Sequence, residues 1–164
     1  MNNFILIGMP SCGKSTLGRL LAKELKYDFI DTDEVIIRRN GCPLRDILDA
    51  RGVDGFVEVE EEAICSVQAE NTVIATGGSA VYSEKAMAHL KSLGRIVYLR
   101  LTFEEMDRRL GDLHARGVAI APGATLMDLY NERVPLYEKY ADITVSIRNG
   151  NSVRQSLQYL LRQV

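Results

Sequence analysis

Phe4-Ile5-Leu6-Ile7-Gly8-Met9-Pro10-Ser11-Cys12-Gly13-Lys14-Ser15-Thr16-Leu17-Gly18-Arg19-Leu20-Leu21 is the stretch whose reading decides the fold. An apolar run enters a turn bounded by two glycines, and a helix pattern leaves it. The turn fits G-x-x-x-x-G-K-[ST], a phosphate-cradling loop, and it has the strand-before, helix-after context that the pattern needs. Gly8 and Gly13 permit backbone angles closed to other residues and allow close approach to a ligand. The loop amides form an anion nest, and the start of the next helix adds unpaired N–H groups. Lys14 supplies a point charge for the outer phosphates, and Ser15 offers a hydroxyl to Mg²⁺. Gly8, Ser11, Cys12, Gly13, Lys14, Ser15 and Thr16 are therefore the expected nucleotide-binding residues. Pro10 removes one amide donor from the nest. A helix N-terminus can activate a thiol such as Cys12; as a small residue, Cys12 also simply fits the slot.

The rest of the composition bounds the setting. The chain has 164 residues and a formal net charge of −2. One domain spanning residues 1–164 is expected at this length. No basic cluster marks a nucleic-acid surface, and no apolar run approaches the length of a membrane span. The first apolar run leads straight into the loop, so no signal peptide is read there. Cys12, Cys42 and Cys65 are odd in number and far apart, which suggests neither a disulfide framework nor a zinc site. A reducing cytoplasm fits, and with no oligomeric signal a monomer is the default.

Along the chain, residues 17–25 carry apolar positions at helical spacing. Residues 27–31 read as a strand ending in a carboxylate. Residues 35–39 and 44–50 read as helical pieces separated by a turn at 40–43. Residues 56–68 read as a longer helix, acidic at its start. A strand at 72–75 runs into Thr76-Gly77-Gly78-Ser79. Ser83 caps a helix to residue 93, and 95–101 is a strand. Thr102 caps the next helix, with Glu105 completing a capping box. Thr125 caps a helix to residue 140, 143–146 is the last strand, and 153–164 a closing helix. Strands alternating with helices imply a parallel sheet covered on both faces. Ligands bind such sheets at the carboxyl ends of the strands. The groups at 8–15, 31–33 and 77–79 all follow strands, so they converge on one edge.

A kinase needs a metal partner and an acceptor-activating group beside the nucleotide loop. On an extended segment Asp31 and Asp33 would face opposite sides, one to the loop and metal, the other to the acceptor. Gly77-Gly78 after a strand lets backbone approach a ligand; a tight turn is the plainer explanation. The acidic residues Asp54, Glu58, Glu60, Glu61 and Glu62 read mostly as a solvated helix face.

These residues together resemble the shikimate kinase family over nearly the whole chain. Gly13-Lys14-Ser15-Thr16 with Leu17-Gly18-Arg19, Phe29-Ile30-Asp31-Thr32-Asp33, Ala75-Thr76-Gly77-Gly78, and Arg133-Val134-Pro135-Leu136-Tyr137 with Ala141-Asp142 carry the likeness. The resemblance implies a three-layer α/β/α nucleotide-binding fold of the P-loop class, with a five-stranded parallel sheet and a mobile lid at about 111–124. It implies ATP-dependent phosphorylation of a shikimate hydroxyl. Lys14, Asp33 and Arg116 would be catalytic, and Ser15 and Asp31 would hold Mg²⁺. Asp33, Phe56, Val57, Gly77, Gly78, Ser79 and Arg133 would line the acceptor site, with Arg133 on the acceptor's carboxylate. Arg109 and Arg148 would sit near adenine.

Two positions depart from the family pattern. Val57 stands where the family has an arginine that grips the shikimate carboxylate, and Ser79 replaces the third glycine of a triplet. A charge-assisted arginine clamp is worth ~1.5–3 kcal/mol, so its loss predicts shikimate binding at least tenfold weaker. The acceptor is then shikimate, with Arg51 as a substitute clamp. Alternatively it is another small hydroxy acid or a hydroxy-amino acid such as homoserine, its ammonium group on Asp54 or Glu58. A nucleotide-binding module without turnover is the rival from another class, against which Asp31, Asp33 and Arg133 argue. A nucleoside monophosphate kinase would need more arginines in the region 35–60. His89 and His114 read as surface residues.

Overall fold

The apolar run at the start of the chain forms β1 (Asn3–Ile7), and Ile5, Leu6 and Ile7 are completely buried. Such a strand needs a neighbour on each side. β1 pairs in parallel with β3 (Thr72–Ala75) on one side and β4 (Gly94–Arg100) on the other, with Ile5 opposite Ile74 and Ile96. β2 (Asp28–Asp31) pairs with β3, and β5 (Ile143–Ser146) with β4, giving the parallel order β2-β3-β1-β4-β5. The computed structural model describes residues 2–110, 117–147 and 152–164.

The connections between strands are α1 (Lys14–Leu25), α2 (Thr32–Asn40), α3 (Leu44–Cys65), α4 (Glu84–Leu93), α5 (Phe103–Arg109) and α6 (Leu126–Tyr140), and α7 (Val153–Leu161) closes the chain. α1 packs on α7 while α3 packs on α4. After β1 the chain turns toward β2, whereas after β3 it crosses to β4. The carboxyl ends of β1 and β3 thus flank a topological switch point, where sheets of this kind open a crevice. The loops 8–13 and 76–79 rise from those two ends.

Several local expectations change. Asp33 is not on an extended segment. Asp31 ends β2 and caps α2, so Asp33 lies in a first helical turn, and the alternation of a strand does not apply to it. The two helical pieces expected at 44–50 and 56–68 are present and meet directly at a kink at Gly52, with no loop between them; its φ of 70° and ψ of −175° only glycine adopts without strain. The second piece ends at Cys65. Thr102 does cap α5, but the Glu105 side chain turns to Arg108 and Arg109 instead of back to the cap. Full capping boxes are at Thr125 and Asp128 on α6 and at Ser152 and Gln155 on α7.

Candidate active site

The loop after β1 is held by strained backbone and by its own lysine. Gly13 (φ 97°) turns the chain into α1, and Ser11 stands at φ 62°. A Cβ on Gly8 would come within 2.7 Å of the Leu99 carbonyl oxygen. Gly8 is therefore bare for close packing against β4, and it does not line the cavity. The Cys12 side chain is buried in the core and lies outside that lining as well, with its Sγ 3.6 Å from Lys14 Nζ. Lys14 Nζ donates to the carbonyls of Gly8 (2.7 Å) and Met9 (2.8 Å), which positions the ammonium inside the loop.

A cavity of about 380 Å³ opens at the switch point. Ser11, Gly13, Lys14, Ser15 and Thr16 form one wall. Asp33, Phe56 and Glu60 form another, and Thr76, Gly77, Gly78, Ser79 and Arg133 close it. The convergence read from the strand ends is thus a physical cavity.

The acidic groups at the cavity divide by partner, with Asp33 and Glu60 in its lining and Asp31 just outside it. Asp31 accepts from the Ser15 hydroxyl through Oδ2 (2.7 Å) and from the Asp33 amide through Oδ1 (2.9 Å). These are hard oxygen donors beside the phosphate loop, and Mg²⁺ takes one or two such protein groups plus phosphate oxygens and water. The pair fits that ion, although no cluster of three metal-ligating side chains occurs among the described residues. Desolvation, then the charge of Asp31, pushes the Asp33 carboxyl up to about 6, with Lys14 pulling the other way. Asp33 is thereby poised near the range useful for accepting a proton.

Glu60 is the residue the sequence reading misplaced. It is 1% exposed, not solvated, and burial drives its carboxyl up to about 7 despite the Ser79 hydrogen bond. Ser79 Oγ donates to Oε1 at 2.6 Å, and Oε2 is buried without a hydrogen-bond partner among the described residues. Its spacing of four from Phe56 was the available signal, since i and i+4 share a helix face and both line the cavity.

Arg133 reaches the cavity from α6 and is 1% exposed. Its Nε donates to the Tyr82 hydroxyl (3.1 Å) and Nη2 to the Ala119 carbonyl (2.6 Å). Gly78 must be glycine here: a Cβ would meet Arg133 Nη1 at 2.7 Å and Pro10 at 2.9 Å. Tyr137 fixes the same turn by donating to the Gly78 carbonyl at 2.6 Å. Tyr82 was not singled out in the sequence, and Tyr137 appeared there only as part of the closing signature.

Other expected residues lie elsewhere. Val57 lines a separate cavity of about 310 Å³ with Asp54, Tyr82 and Glu132, because it sits one helical position round from Phe56. Glu58 is exposed and faces Arg51 at 3.9 Å, and neither the expected ammonium site nor the expected substitute clamp is in the cavity lining. Arg109 Nη1 donates to the Ser11 carbonyl (3.3 Å), while Nε donates to buried Glu105 (2.7 Å). That places it beside the nucleotide loop. His89 is half-buried and bonds the Val67 carbonyl through Nε2 at 2.8 Å. Arg116, His114 and Arg148 lie outside the described residues, as does the first part of the expected lid. No helix among the described residues is long and apolar enough to cross a membrane.

Comparison with known proteins agrees with this geometry. The family model for shikimate kinase matches residues 10–164. A shikimate kinase of Francisella tularensis subsp. novicida is 38% identical over 93% of this chain and 88% of its own. One of Haemophilus influenzae is 40% identical over 92% and 86%. Among solved structures, shikimate kinase from Aquifex aeolicus superposes with a TM-score of 0.80 at 31% identity, covering 98% of this chain and 94% of its own. Shikimate kinase from Acinetobacter baumannii in complex with shikimate gives 0.82 at 28% identity, covering 99% and 92%.

Proposed function

We propose that this chain, which belongs to the shikimate kinase family, transfers the γ-phosphoryl group of ATP to a hydroxyl of shikimate. The observation that carries the reading is that Lys14, Asp33 and Arg133 line one cavity at the sheet's switch point. A family relative bound to shikimate supports the acceptor.

The residues divide the work by charge. The loop amides and Lys14 hold the polyphosphate, and the Lys14 ammonium faces charge that spreads over the γ-phosphoryl oxygens during transfer. Ser15 and Asp31 would hold Mg²⁺, which when bound neutralises phosphate charge. Arg133 binds the acceptor's carboxylate at the far wall. The acceptor hydroxyl attacks the γ-phosphorus and its proton passes to Asp33. The new P–O bond forms as the bond to ADP breaks, and ADP leaves with that electron pair. Arg133 is held by two hydrogen bonds before any ligand arrives, so little ordering remains to be done on binding.

Further assignments belong to the same reading. Arg109 and Arg148 contact the nucleotide base end, and residues 111–124 close as a lid that brings Arg116 to the phosphates. The enzyme works as a single cytoplasmic domain and a monomer, without nucleic acid. A coupled assay of ADP release with Mg-ATP and shikimate tests the reading. Saturable turnover that Asp33→Asn abolishes supports it; an equal rate without shikimate would refute it.

A further inference from the structure

We propose that Glu60, oriented by Ser79, is a specificity-determining residue that makes a cation-accepting subsite in the acceptor pocket, so that this chain also phosphorylates small hydroxy-amino acids. The inference rests on the kinase reading of the same site.

The first observation is a buried oxygen with nothing to bond. Glu60 is 1% exposed, lines the cavity, and leaves Oε2 without a partner among the described residues. Oε1 is already occupied by the Ser79 hydroxyl, which fixes the plane of the carboxylate. A Cβ placed on Gly77 would lie 2.7 Å from Glu60 Oε2 and 2.9 Å from Asp33 Oδ1. The open oxygen is therefore beside the group that takes the acceptor's proton.

The second observation is the charge balance at the acceptor end. Lys14 is committed to the loop and the phosphates. Arg133 is the cation facing that end among the described residues lining the cavity, against the two carboxylates of Asp33 and Glu60. Val57 contributes no charge and lies in the neighbouring cavity. An acceptor that gives its carboxylate to Arg133 and its hydroxyl to Asp33 still leaves Glu60 unmatched. An ammonium group matches it, with a charge-assisted hydrogen bond stronger than a neutral donor would make. A neutral polyhydroxy acid is accommodated best when Glu60 carries a proton.

Asp33, Lys14, Arg133 and Ser79 are the groups that face Glu60, and burial first, then the charge of Asp33, push its carboxyl up to about 7. The test uses the wild-type protein with Mg-ATP, and shikimate and L-homoserine as acceptors. The ratio of kcat/KM for homoserine to that for shikimate should rise severalfold between pH 6 and pH 8, as Glu60 becomes charged. In Glu60→Gln the ratio at pH 8 should fall about tenfold to a hundredfold, the worth of one charge-assisted bond. Ser79→Gly, which removes only the orienting hydroxyl, should lower it less. Turnover of shikimate with none of homoserine, or a ratio indifferent to pH, would overturn the inference and leave the kinase reading intact. If neither acceptor were phosphorylated by protein that binds Mg-ATP, the kinase reading itself would fall.

Discussion

The Ser15 hydroxyl donates to Asp31 Oδ2 at 2.7 Å, while the other oxygen of the same carboxylate caps α2 through the Asp33 amide at 2.9 Å. One side chain thus couples the nucleotide loop to the proton-accepting aspartate. Replacing Asp31 with Ala removes an N-cap, which costs about 0.5–2 kcal/mol, and loosens Asp33. Chemical denaturation should show that loss, and kcat should fall while the fold persists.

Asp33→Asn keeps the shape of the site and removes the base. General-base catalysis is worth roughly 10²–10⁴ in rate, so kcat should fall by that order with the affinity for Mg-ATP little changed. In the wild type, Asp33 is active only when ionised. The rate should therefore decline as the pH falls below about 6, and a pH–rate profile reads this directly.

Lys14→Met separates structural from phosphate-binding duties. The variant loses two hydrogen bonds to loop carbonyls, each from a charged donor worth ~1.5–3 kcal/mol when removed. Calorimetry should find Mg-ATP binding at least tenfold weaker, beyond any change in melting temperature.

Glu60→Gln should stabilise the protein at high pH. The carboxyl is raised from 4.5 to about 7 in the folded state, so the fold holds the proton more tightly than the unfolded chain does. That contribution is complete below pH 4.5 and is lost as the pH rises through 7. At pH 8 the buried charge costs roughly 3 kcal/mol. Urea titrations at pH 5 and pH 8 should show the variant gaining on the wild type as the pH increases.

Arg133→Met should raise the KM for the acceptor at least tenfold, by removing a charge-assisted clamp, and should leave the KM for ATP nearly unchanged. It also abandons the Tyr82 hydroxyl and the Ala119 carbonyl in a buried place, so a lower melting temperature is expected alongside.

The sheet was legible because most strands are short apolar runs that end at or near a glycine turn or a helix cap, and every expected strand is present within one residue at each end. The loop at 8–16 was legible because its glycines and lysine occupy fixed offsets. Two kinds of information were not. Which face of the segment after Gly52 enters the cavity is set by the packing around it: Phe56 and Glu60, four apart, share that face, and Val57, one position round, meets the neighbouring cavity. The direction of a polar side chain is set by competing partners in space. Glu105 fits a capping box in sequence, yet it is drawn to Arg108 and Arg109. Tyr82 carries no local motif, and Tyr137, though part of the closing signature, shows its role only when the fold brings it to Gly78, as it brings Tyr82 to Arg133.

Phosphorus NMR of purified protein incubated with Mg-ATP and shikimate tests the phosphoryl-transfer claim most directly. The expected result is one equivalent of a new phosphomonoester signal for each ADP formed, appearing roughly 10²–10⁴-fold more slowly with Asp33→Asn. ADP appearing with inorganic phosphate alone, at a rate that shikimate does not alter, would contradict it.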